Sequence, residues 1–107
     1  MRCMRLLIMF DLPTSSAIEK KSYAKFRKFL LEDGYRMEQF SVYTRPCLGI
    51  DSVNTHLGRL RANLPETGKI TALVLTEKQY EDRKTLVCSS GYENKTLDIG
   101  SQMTLFL

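Results

Sequence analysis

Short apolar blocks alternate with polar stretches bearing glycine or proline, and their spacing predicts the elements of the fold. Residues 4–10, M-R-L-L-I-M-F, are apolar except for Arg5. That is the mark of a central strand buried on both faces and covered by helices on at least one side. Asp11 to Ser15 reads as the exit loop. Ser16 and Glu19 then form an S-x-x-E capping box, opening a helix that runs to about Asp33, where Gly34 supplies the stop. At 100° per residue Ile18, Ser22, Phe26, Phe29 and Leu30 fall on one side of it, and Lys20, Lys21, Lys25, Arg27 and Lys28 on the other.

The run Y-R-M-E-Q-F-S-V-Y-T-R-P-C, residues 35–47, is rich in strand formers. It predicts two short strands with a tight turn near Phe40 and Ser41, and Pro46 at the end of the second. Asp51 is the expected N-cap of a second helix in which Val53, Leu57, Leu60 and Leu64 recur at helical spacing, ending before Pro65. Gly68 resets the chain, and K-I-T-A-L-V-L-T at 69–76 predicts a further strand. Downstream, T-L-V-C-S at 85–89 and M-T-L-F-L at 103–107 read as two more short strands joined by a polar, glycine-containing connection. The order β, α, β, β, α, β plus C-terminal strands predicts an α+β, ferredoxin-like antiparallel sheet with two helices on one face. All 107 residues fit one domain, with 77–107 as a C-terminal extension. The charged stretch within it, 77–102, is expected to dock a partner.

Composition narrows the picture. Sixteen Lys and Arg against twelve Asp and Glu give a net charge of +4, which favours a polyanionic partner. A domain of this size with five Met and ten aromatic residues is a good candidate for a homodimer. Cys3, Cys47 and Cys88 lie far apart with no C-x-x-C pair, which points to reduced thiols in a cytoplasmic protein. The N-terminal apolar run is interrupted by Asp11 and Pro13 before it could form a signal peptide or span a membrane.

Asp11 is the sharpest chemical candidate. At the mouth of a central strand it can offer carboxylate oxygens to a hard cation, and Mg²⁺ typically takes one or two carboxylates plus water and phosphate oxygens. A twofold axis near the strand end would let two copies of Asp11 share one ion. The competing role is an Asx turn onto the backbone of residues 13–15. His56, the only histidine, reads as a partly exposed helix residue. The absence of G-x-S-x-G, P-loop and G-x-G-x-x-G motifs removes the usual serine-hydrolase, triphosphatase and dinucleotide readings. The lysine face of the first helix can track phosphates, with Arg36, Arg45, Arg59 and Arg61 extending it. No aromatic residue occurs in 69–76, so bases are not expected to stack on that strand.

Taken together, F-D-L-P-T at 10–14, the lysine-rich first helix, Q-F-S-V-Y at 39–43, the G-K-I-T-A-L-V-L-T strand and a short C-terminal strand resemble the small CRISPR-associated adaptation protein, the dimeric, endoribonuclease-like partner of the spacer integrase. The ending K-T-L-D-I-G-S-Q-M-T-L-F-L and the preceding Y-E-D-R-K look most like members found beside type II effectors. The resemblance implies a ferredoxin-like homodimer whose C-terminal strands help pair the subunits. It also implies a basic surface that holds double-stranded prespacer DNA between integrase dimers, with Lys20, Lys21, Lys25, Lys28, Arg36 and Arg45 as its candidates here. Asp11 corresponds to the family's metal-binding, catalytic aspartate, with Mg²⁺ as the implied ion. Phe10 stands where many relatives carry Tyr, which removes a hydroxyl from that site. The alternative within the same fold is a toxin-like, Mg²⁺-dependent endoribonuclease acting on single-stranded RNA.

Overall fold

The protein is described by a computed structural model covering residues 3–89. Its elements follow the expected order: β1 (Cys3–Asp11), α1 (Ala17–Glu32), β2 (Arg36–Gln39), β3 (Val42–Leu48), α2 (Gly49–Arg61), β4 (Lys69–Thr76) and a short α3 (Glu77–Glu81). The four strands form one antiparallel sheet in the order β2-β3-β1-β4, which makes the apolar first strand central. This is the ferredoxin-like arrangement.

Strand periodicity decides what is buried. Leu6, Ile8 and Phe10 face α1 and α2 and are buried, whereas Arg5, Leu7 and Met9 between them are only partly covered. Among the described residues, helices therefore cover one face of β1 and not both, because only α3 packs on the other face, at its Arg5 end. The core joins these three side chains to Phe26 and Leu30 of α1, Tyr35, Tyr43 and Cys47 of the hairpin, and Val53 and Leu60 of α2. Each fully buried Leu or Phe among them stabilises the fold by about 1.5–3 kcal/mol. The inner stripe of α1 runs through Tyr23, Phe26 and Leu30. Ile18 lies about 80° round from Phe26 on the side away from Tyr23 and Leu30, so it is 81% exposed instead of joining the core.

Local chemistry explains the boundaries. The Glu19 carboxylate accepts from the backbone N–H groups of Ser15 and Ser16, both at 2.9 Å, while the Ser16 hydroxyl accepts from the Glu19 N–H at 3.1 Å, completing the capping box. The β2–β3 turn falls at Phe40 and Ser41, with Ser41 in the left-handed region at φ 63°. Pro46 lies inside β3 and not at its end. The Phe10 N–H donates to the Ser41 carbonyl, so the odd-numbered residues of β3 carry the hydrogen bonds to β1. Pro46 therefore turns its nitrogen to the outer edge, and β2 pairs there only as far as Thr44. The second helix begins at Gly49, earlier than expected, with Leu48 as a cap that makes no side-chain bond. Asp51 is thus in the first turn and complements the helix dipole, not the N-cap.

The extension departs furthest from expectation. Thr76 and Gln79 form a second capping box, which turns the chain out of β4 directly into α3. Residues 83–89 have no helix or strand, and the strand expected at 85–89 is absent. Leu86 and Val87, which it would have buried, are 65% and 81% exposed. The strand expected at 103–107 and the ending that carries the type II resemblance lie outside the described residues.

Candidate nucleic-acid interface and strand-end carboxylate

Asp11 closes β1 on the face opposite α1 and α2, directly across from Lys69, the first residue of β4. It is exposed, and its carboxylate makes no hydrogen bond or ion pair among the described residues. The Asx-turn role therefore does not apply. Glu19, the next acid along the chain, is committed to the capping box. With Lys69, Thr71, Met9, Phe10, Val42, Ser41 and Phe40, Asp11 lines a shallow concavity of about 320 Å³. No cluster of three or more His, Cys, Asp or Glu side chains occurs among the described residues. One chain thus brings a single free carboxylate to the place where a cation could bind. That suits Mg²⁺, which needs few protein ligands when water and phosphate supply the rest.

Basic side chains divide into two groups. Lys20, Lys21, Lys25 and Lys28 are exposed along α1 and none forms an ion pair among the described residues; Arg36 is exposed at the β2 edge. Most of the arginines are engaged elsewhere. Arg45 donates to the Asp33 carbonyl at the end of α1 and to the Pro46 carbonyl, so it braces the hairpin against the end of the helix. Arg27 donates to the Tyr43 hydroxyl at 2.8 Å, and Arg59 pairs with Asp33 at 2.8 Å. Arg61 is exposed.

His56 is buried, not partly exposed. It shares the inner side of α2 with Val53 and Leu60, three residues before it and four after, and its Nδ1 lies 2.8 Å from Asp33 Oδ2. Burial opposes the charge on Asp33, but the hydrogen bonds from His56 and Arg59 outweigh it and hold the carboxyl below its ordinary value. This triad links the end of α1 to α2 and belongs to the scaffold.

A second network lies on the other face. Arg5 makes two bonds to Glu77, at 3.1 and 2.8 Å, and its guanidinium lies 4.2 Å from the Tyr80 ring centre; Arg83 lies 3.9 Å from the same ring. Glu38 accepts from the Tyr80 hydroxyl at 2.6 Å and from Arg83 at 2.8 Å. The charged stretch that begins at residue 77 is therefore, over 77–83, clamped onto its own sheet. Its T-x-x-Q capping signature was the available sign of a helix.

These features meet in one family. Residues 4–83 match the model of the CRISPR associated protein Cas2. The chain belongs to the Cas2 family. Over 103 residues it is 45% identical to a CRISPR-associated endoribonuclease Cas2 of Acidovorax ebreus, covering 96% of this chain and 100% of that protein. A Streptococcus mutans Cas2 of the same description is 49% identical over 77 residues, 72% of this chain and 71% of that protein. A Campylobacter jejuni Cas2 is 41% identical over 103 residues, 96% of this chain and 71% of that one. The Cas2 match includes Asp11, the α1 lysines and α3, and ends at Arg83.

Proposed function

We propose that this Cas2 chain acts in spacer acquisition as a homodimer that binds double-stranded prespacer DNA and bridges the integrase. The reading rests on one observation above all: four lysines lie on the solvent side of α1 without ion-pair partners among the described residues, while the buried or braced cations are arginines. Free lysines contact phosphates without regard to sequence, as a scaffold that must accept any captured duplex requires. Replacing Lys20, Lys21, Lys25 and Lys28 with Glu is expected to weaken duplex binding about tenfold or more at moderate salt and to flatten its salt dependence. Unchanged affinity would overturn the scaffold reading.

A second activity is supported by the free Asp11 carboxylate and by the endoribonuclease descriptions of the relatives. In this reading Asp11, alone or with its symmetry mate, holds Mg²⁺, and the substrate is single-stranded RNA. A cation there lowers the pKa of a bound water and offsets charge on the phosphate. Asp11→Asn is expected to abolish cleavage of an RNA strand while leaving duplex affinity intact. Cleavage that survives the substitution would place the chemistry elsewhere.

A further inference from the structure

Phe40 is a large aromatic side chain at the tip of the β2–β3 turn, and it is 72% exposed. An exposed Phe is common enough, but this one is held in place. The neighbouring Ser41 is in the left-handed region, and its carbonyl accepts the Phe10 N–H at 3.0 Å, which anchors the tip to the end of β1. The Phe40 ring is stacked on Tyr23 of α1, with centres 6.4 Å apart and planes at 22°. Tyr23 in turn contacts Phe10, at 5.8 Å. The ring is thus the outermost member of an aromatic series that begins in the core.

Phe40 also forms one wall of the concavity that holds Asp11. Met9, Val42 and Thr71 contribute to the same hollow, and Lys69 lies on it opposite Asp11. Its volume, about 320 Å³, is at the small end for a ligand cleft. A flat aromatic wall, an apolar floor and one cation match the parts of a single nucleotide: a ring to stack, and a phosphate to be neutralised beside it by Lys69. Such recognition requires an unpaired base, because a base within a duplex offers its faces only to its neighbours.

We infer that Phe40 is a stacking platform for one unpaired base of a single-stranded nucleic acid, with the adjoining phosphate at Lys69 beside Asp11. The inference rests on the RNA-cleaving reading of Asp11 and names how that substrate is held. It also separates two surfaces by chemistry: α1 lysines for the duplex backbone, and the Phe40 hollow for a single strand.

The test uses a short single-stranded RNA carrying one 2-aminopurine, whose fluorescence is quenched on stacking, titrated into the full chain and its variants. The native chain, Phe40→Trp and Asp11→Asn are expected to quench it, while Phe40→Leu, which keeps apolar bulk without a π face, binds about fivefold or more weakly without quenching. A duplex of the same sequence is expected to relieve little of the quenching. Native-like quenching by Phe40→Leu, or equal competition by the duplex, would overturn the platform. So would loss of the dimer in Phe40→Leu on sedimentation, since the ring would then cover a second copy of the chain. If quenching persists in Asp11→Asn and cleavage persists with it, the Asp11 reading fails while the platform stands.

Discussion

Asp33 and His56 show how much a single buried pair can hide from a sequence. The two residues are 23 positions apart, so nothing local links them. The spacing of Val53, His56 and Leu60 nevertheless put His56 on the buried side of α2, and the end of α1 supplied its partner. Removing one member of a buried pair leaves the other without compensation, so Asp33→Ala is expected to lower stability by about 3 kcal/mol at neutral pH. Because the folded-state carboxyl lies below its ordinary value, the pair's contribution is present above that value and is lost as pH falls through the lowered one. Urea unfolding at pH 7 and again below about pH 4 should therefore show the gap between native and variant chains closing in acid. The position of Asp11 at the end of β1 was legible from a strand pattern alone. The residue's freedom from the following turn was not, because that depends on where a side chain points.

Among elements, those with strong periodic or capping signals were readable: β1, α1, the hairpin and β4 all lie close to their expected limits. The failures came where a tertiary partner overrode the local pattern. Ile18 had an apolar identity but the wrong angle, and 85–89 has strand formers but does not join the open β4 edge. The short α3 was missed because its five residues hold by contacts, not by propensity. Burial, followed by the bond to Glu38, pushes the Tyr80 hydroxyl up to about 12. The neutral phenol is the stabilised form, so the contribution of Tyr80 is complete below pH 10 and declines as pH rises through about 12. Tyr80→Phe is expected to cost about 1.5 kcal/mol and to remove that alkaline loss from the denaturant midpoint. The turn into β4 is equally constrained. Gly68 has φ of 101°, and a Cβ there would lie 2.8 Å from the Asp11 carbonyl oxygen. Gly68→Ala is therefore expected to destabilise the chain by about 2 kcal/mol and, by displacing Asp11, to reduce cleavage as well.

At the scale of the molecule, the described residues give the sheet one finished face and one open one. Leu7 is partly covered and its neighbour Leu73 is 43% exposed on the side that, among the described residues, only α3 crosses, next to the Met9 and Val42 floor of the Phe40 hollow. Leu86 and Val87 add exposed apolar surface to the chain that follows. In the proposed homodimer this surface is the natural contact, and Leu73→Lys is expected to make sedimentation equilibrium report a single chain and to remove the concentration dependence of the thermal unfolding midpoint. A dimer that persists would move the contact elsewhere. The fold class was legible because the order of elements fixes it, whereas the open face was not, since β1 reads as apolar on both faces except at Arg5.

The two margins of the sheet are also unlike. On the β2 side the strand is only four residues long, its pairing shifts between Met37 and Gln39, and Pro46 presents a nitrogen that cannot donate. On the β4 side eight residues run with no strand beyond them among the described residues. Among the described residues, growth by adding strands is therefore favoured at the β4 margin. Copies that pair edge to edge there, beside the contact through the open face, use up their more adhesive border and stop at two, so a chain rich in strand formers escapes becoming a fibre.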